Sequence, residues 1–170
     1  MTHEELFPMI QKATHEVFST MLGTEIMLGK PRVDNGTPGP QEGVVSLIGL
    51  AGAWVGTGMI CSRAETARAM SGLLLMQEYP SVDEEVLDAV GELTNMIFGN
   101  VKTSLEDLVG PLGLSIPTVI YGRNFNTRSV GNKEWTVVPF TWPGQELEVH
   151  LCLALAQKEA PRHFPGLAIV

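Results

Sequence analysis

Positive charge is scarce in this chain. It holds 11 Lys and Arg against 19 Asp and Glu in 170 residues, a net charge of −8. A nucleic-acid binder needs a basic footprint that displaces counterions, and no Lys/Arg cluster occurs. An anionic membrane surface would repel the chain as well. Cysteine is nearly absent. Cys61 and Cys152 each sit inside an apolar, strand-like run, which predicts buried reduced thiols and excludes a disulfide framework. His3, His15, His150 and His163 are scattered, so no metal-ligand spacing is present. No charged-then-apolar segment opens the chain, and the expected location is the cytoplasm. One long uncharged run, Val44 to Cys61, reaches the lower length limit of a membrane span. Its glycines (Gly49, Gly52, Gly56, Gly58) and β-branched residues predict two short strands around an Ala51-Gly52 turn instead. The same glycines are not a dinucleotide fingerprint, because no helix opens directly on them. These absences leave a globular protein that meets a small molecule or another protein.

The dominant feature is the stretch Ser81 to Gly110, which the periodicity predicts as the longest helix. Ser81 and Glu84 stand at capping-box spacing. Gly110 before Pro111 is a stop signal. Val82, Val86, Val90, Leu93, Ile97 and Val101 form one apolar stripe. At about 100° per residue, Asp88, Glu92, Asn95 and Gly99 fall on roughly the opposite side as a narrow polar ridge. Such a ridge is most simply a solvated helix face. Three features point to more. Asn competes for backbone hydrogen bonds in mid-helix, and Gly91 and Gly99 each cost about 1 kcal/mol against Ala. A carboxylate and an amide tolerated beside them suggest room made for another molecule.

Along the rest of the chain, Thr2 to Leu22 reads as a helix with Leu6, Ile10, Ala13, Val17 and Met21 inward and Gly23 as its cap. Thr24 to Leu28 is a short strand, and Lys30 to Gln41 is turn chemistry throughout, predicting an exposed loop. Ser62 is a candidate cap for a helix to about Met76, with Ala67, Met70, Leu73 and Leu74 inward. Leu114 to Tyr121 is a strand whose Pro117 requires an edge or a bulge. Gly122 to Gly131 is a polar loop. Trp135 to Thr141 and Glu146 to Ala156 make a second hairpin around Trp142-Pro143-Gly144, with Leu147, Val149, Leu151 and Leu153 on one face and Glu148, His150 and Cys152 on the other. An apolar tail follows.

Both halves run helix, short strand, polar loop, hairpin. Laying Ala13–Gly23 on Ala89–Gly99 brings Glu16 onto Glu92, Ser19 onto Asn95 and Gly23 onto Gly99. The expected architecture is an α/β (α+β) fold of pseudo-twofold duplicated helix–strand–hairpin units, with long helices packed on a largely antiparallel β-sheet. We expect one domain over residues 1–170, with pseudo-repeats at about 3–61 and 82–156 and a tail at 157–170.

The Glu92-x-x-Asn95 pair, preceded by Asp88, on a long helix in the second half of a duplicated domain resembles the CheC/CheX chemotaxis phosphatases. One intact motif beside a degenerate first-half helix is more similar to CheX than to CheC. The Gly-rich hairpin SLIGLAGAWVGTGMI and the VFSTML ending of the first helix carry the same resemblance, which extends from about Leu6 to Ala156. It implies dephosphorylation of a phosphorylated CheY-type response regulator in chemotaxis or two-component signalling. The chain itself would bind no cofactor and no metal; Mg²⁺ is expected on the phosphorylated partner. Asn95 would position the attacking water and Glu92 would engage the regulator's active-site lysine. Asp88 would add acceptor capacity at the rim, and Gly99 would permit close approach. Ser19 departs from Asn, so no activity is expected from the first helix. The resemblance also implies homodimers through β-sheet edges, for which strands such as Trp135 to Thr141 are candidates. The alternative reading is a non-catalytic regulator-binding adaptor resembling the flagellar-switch relatives, which would have no need of an amide at Asn95.

Overall fold

The computed structural model describes residues 1–35, 41–125 and 134–156. Three α-helices lie on one face of an antiparallel sheet. Helix α1 spans His3–Val17. Thr2 caps it, its hydroxyl accepting from the Glu5 amide, while the Glu5 carboxylate accepts from the Thr2 amide. The chain then widens into one π-helical turn, Phe18–Leu22, and stops at Gly23, whose φ of 63° is left-handed. The π turn corrects the predicted stripe. Spacing lengthens from four residues to five, so Leu22 follows Val17 into the core and Met21 is left exposed. Helix α2 spans Ala64–Leu75. Its N-cap is Arg63, not Ser62, because Ser62 is the last residue of the preceding strand. Ala67 and Met70 are buried and Leu74 packs on the core, but Leu73 is exposed.

Helix α3 spans Glu84–Val109 and packs against α1, α2 and the sheet. Val86, Val90, Leu93, Ile97 and Val101 are all buried, so the predicted stripe holds. The cap does not: Asp83, and not Ser81, accepts from the Val86 amide at 3.0 Å. Asp83 places its carboxylate at the positive end of the helix, where it also opposes the backbone dipole. Asp83→Ala is expected to cost about 1 kcal/mol and Ser81→Ala a few tenths at most, read as a shift in urea midpoint.

The strands are β1 Met27–Leu28, β2 Arg32–Asn35, β3 Gln41–Gly52, β4 Trp54–Ser62, β5 Leu112–Leu114, β6 Thr118–Phe125, β7 Glu134–Trp142 and β8 Gln145–Leu155. Their order is β1-β7-β8-β4-β3-β5, with β2 also on β7 and β6 also on β3. Exchanging β1 with β5, β2 with β6, β3 with β7 and β4 with β8 maps every pairing onto another. The duplication read from the helices is therefore repeated in the sheet, about an axis between β4 and β8. Each half lends its short strands to the other half's hairpin.

Several local expectations change for reasons this topology supplies. Arg32–Asn35, predicted as loop, is a strand on β7; residues 36–40 lie outside the described residues. The first hairpin reverses at Ala53, not at Ala51-Gly52, because Ala51 and Gly52 are held as strand by Gly113 and Leu112 of β5. The Leu114–Tyr121 strand is broken at 115–117, on the N-terminal side of Thr118, where Pro117 supplies no ladder donor. The predicted Gly122–Gly131 loop is strand as far as Phe125, and 126–131 lie outside the described residues, as does the tail 157–170. Trp135–Thr141 is not an edge, since β7 pairs with β8 on one side and with β1 and β2 on the other.

The sheet face away from the helices is also covered. Val45, Met59, Trp135, Val137 and Cys152 are buried there, and His150 is only 2% exposed. The face of β8 that holds Glu148, His150 and Cys152 also carries a charged network. Glu148 takes two hydrogen bonds from Arg32, at 2.7 and 3.0 Å, and lies 3.0 Å from His150 Nε2. The His150 ring first, and then Arg32, hold the Glu148 carboxyl down at about 2. Burial, with Glu148 opposite, pushes the Cys61 thiol up to about 12, so it stays protonated at neutral pH.

Candidate functional site

A helix presents a fixed surface only if its buried side is fixed. On α3, Leu93, Thr94, Ile97 and Phe98 are almost wholly buried, and the Thr94 hydroxyl is spent on the Val90 carbonyl at 2.8 Å. Between these anchors the ridge residues Asp88, Glu92 and Asn95 point to solvent, and all three are exposed. They line one side of a groove of about 500 Å³. Leu87 and Gly91 complete that side, and Leu114, Ser115, Ile116, Pro117 and Val119 form the opposite wall.

None of the three polar ridge residues has a hydrogen-bond or ion-pair partner among the described residues. Asp88 and Glu92 are like charges four residues apart, which weakens an isolated helix by a few tenths of a kcal/mol. No Lys or Arg of α3 occurs before Lys102, and Lys102 is paired with Glu106 at 2.8 Å. The ridge therefore offers uncompensated acceptors to a cation from outside, beside an amide that can both accept and donate. It contains no Ser, Thr, Cys or Lys side chain. Among the described residues no group of three or more His, Cys, Asp or Glu is placed to hold a metal.

The predicted site residues fall in two groups. Asp88, Glu92 and Asn95 share the groove. Gly99 lies one turn beyond, outside the groove, with nothing within 4 Å of where a Cβ would stand. A Cβ at Gly91 would touch the Val119 side chain at 3.4 Å, close to ordinary van der Waals contact, so packing within the chain does not by itself require glycine there. The groove's second wall was not anticipated from sequence. The signal available was an apolar residue, Ile116, set between Ser115 and Pro117 in a segment otherwise readable as strand.

The first-half counterpart differs in its side chains and their bonding. Glu16 is exposed, but Ser19 and Thr20 both turn their hydroxyls onto the Glu16 carbonyl, at 3.2 and 2.7 Å, inside the π turn. A second depression of about 460 Å³ lies beside His3. There Nδ1 is 2.7 Å from the Thr136 hydroxyl and Nε2 is 3.0 Å from Glu134, so the ring is engaged on both sides. No helix among the described residues is long and apolar enough to cross a membrane.

Comparison with known proteins agrees with this geometry. The family described as chemotaxis phosphatase CheX matches residues 44–141. That span includes the whole of α3 and the groove's second wall. The CheY-P phosphatase CheX of Thermotoga maritima is 32% identical over 120 residues, 70% of this chain and 77% of that protein. The CheX of the CheX–CheY–BeF3–Mg²⁺ complex from Borrelia burgdorferi superposes with a TM-score of 0.75 at 30% identity, covering 86% of this chain and 96% of that one. A CheC-like superfamily protein from Shewanella sp. PV-4 gives 0.78 at 26% identity, covering 88% and 97%. A ridge carrying Glu92 and Asn95 on the long second-half helix, a sheet whose pairings repeat by halves and a family match over 44–141 converge: this chain belongs to the CheX family of chemotaxis phosphatases.

Proposed function

We propose that the chain accelerates hydrolysis of the aspartyl phosphate on a CheY-type response regulator, with α3 as the element that enters the regulator's active site. The observation that carries this reading is the pair Glu92 and Asn95, exposed and unpartnered among the described residues, on a helix whose other side is locked in the core. An aspartyl phosphate is a mixed anhydride already activated for hydrolysis. What it lacks is a water held in line, and positioning is a large part of phosphoryl-transfer catalysis. Asn95 holds that water by accepting from it through the amide oxygen. The water oxygen bonds to phosphorus as the P–O bond to the aspartyl carbonyl group breaks, giving inorganic phosphate and the regulator's free carboxylate. Glu92 engages the regulator's active-site lysine, which docks the helix and draws the lysine from the phosphate. Asp88 adds a second acceptor at the groove's rim. Gly99, with open space around it, lets the partner backbone come close. Mg²⁺ bound on the regulator would supply charge neutralisation at the phosphoryl oxygens.

We further propose a single CheX-like domain, with repeats at about 3–61 and 82–156, that forms a homodimer through a sheet edge. The outer side of β6 is the longest edge free among the described residues, so it is the edge assigned. The docking role of Glu92 is read with Glu92→Gln. A charge-assisted hydrogen bond is worth about 1.5–3 kcal/mol, so affinity for the regulator is expected to fall about tenfold or more while the fold is unchanged. Unaltered binding by Glu92→Gln in a titration contradicts this role.

A further inference from the structure

Ile116 is 90% exposed and lines the groove that also holds Asp88, Glu92 and Asn95. Its loop is pinned to the sheet. The Ser115 amide donates to the Gly49 carbonyl at 2.9 Å, and the Gly49 amide donates back to the Ser115 hydroxyl at 2.8 Å. That hydroxyl in turn donates to the Ile116 carbonyl at 3.0 Å, and Pro117 fixes φ immediately after. The exposed side chain thus sits on a pre-set backbone, and binding through it costs little ordering entropy. It also stands across the groove from Glu92 and Asn95. The groove is therefore apolar on one wall and acidic on the other, with its acceptors uncompensated.

We propose that the Ser115–Pro117 loop is the apolar docking anchor of this site, with Ile116 setting affinity for the phosphorylated regulator and taking no part in hydrolysis. The occupant is the regulator surface beside its active-site lysine: an apolar patch meets Ile116 while the cation meets Glu92. A few side chains that become fully desolvated in the complex carry most of the energy of an interface, and a side chain on fixed backbone at the groove wall can be one of them. This inference rests on the reading of the site given above and adds a second, separable contact.

The test uses the full chain and a CheY-type regulator of the same organism, phosphorylated with acetyl phosphate. Ile116→Asp is expected to raise KM at least tenfold with kcat within twofold of wild type. Ile116→Leu stays near wild type. Met76→Asn, which alters a side chain 92% exposed and outside the groove, leaves both constants unchanged. Melting temperatures of wild type, Ile116→Asp and Ile116→Leu match, because no buried contact is touched; Met76→Asn melts no lower, because Asn suits the left-handed φ of 56° at that cap. An unchanged KM in Ile116→Asp overturns the anchor, and so does a loss confined to kcat. Titration with beryllofluoride-loaded regulator separates the two readings. If wild type binds without hydrolysing, a tenfold weaker Ile116→Asp still supports the anchor while the phosphatase reading fails. If wild type does not bind, the anchor fails with it.

Discussion

Asn95→Ala is expected to bind the phosphorylated regulator as wild type does and to lose about 100-fold or more of the acceleration of its dephosphorylation. The expectation follows from what the side chain can and cannot do. An amide has no proton to give or take near neutral pH, so Asn95 is neither acid nor base. The contribution proposed for it is geometric, and geometry of this kind is worth about two or more orders of magnitude when the reaction has little covalent chemistry left to catalyse. Asn95 is exposed and makes no hydrogen bond to any described residue. Truncation to Ala therefore costs no stability, and Ala is the better helix former. Rate and binding are separated by single-turnover phosphate release and by titration. Equal losses in both would mean that Asn95 docks the partner and does not hold the water.

The second large effect is structural and acts on the same site from below. Gly58 →Ala on β4 places a Cβ 2.3 Å from the Phe98 ring, and Phe98 is fully buried on α3. The ring is enclosed in the core, so it must shift there and press on the helix that carries it. Overpacking of this kind costs about 1–3 kcal/mol, and the upper part of that range is expected because the clash is with a ring edge and not with a flexible chain end. The displaced element is the one that carries Glu92 and Asn95. Gly58→Ala is therefore expected to lower the urea midpoint and also to lower turnover at concentrations where the protein remains folded. A destabilised variant with full turnover would show that α3 need not hold this height above the sheet.

How much of this was legible in the sequence depended on where the information lay. The α3 stripe was readable because one helix decides its own periodicity, and Val86, Val90, Leu93, Ile97 and Val101 are all buried as spacing requires. The Glu92–Asn95 ridge followed from the same periodicity, and the duplication from comparing two helices. Features set by partners distant in the chain were not readable. Arg32–Asn35 is strand because β7 lies beside it, not because its residues favour extended structure. Ala51 and Gly52 look like a turn but are recruited by β5. Met21 leaves the stripe because one π turn inserts a residue of phase, with Ser19 and Thr20 both bonded to the Glu16 carbonyl within it. The second wall of the groove combines both kinds. Pro117 announced a break in the strand, but only the pairing of Ser115 with Gly49 brings Ile116 opposite Asn95.

On the proposed reading, α3 turns binding of the regulator into hydrolysis of its aspartyl phosphate. The most direct measurement is the decay of a purified, phosphorylated CheY-type regulator of the same organism, with Mg²⁺ present, with and without catalytic amounts of this protein. The account predicts a phosphate-release rate well above the regulator's own decay and proportional to the concentration of this protein. Saturable binding with an unchanged decay rate would contradict it, and would leave a regulator-binding adaptor whose Asn95 has no catalytic task.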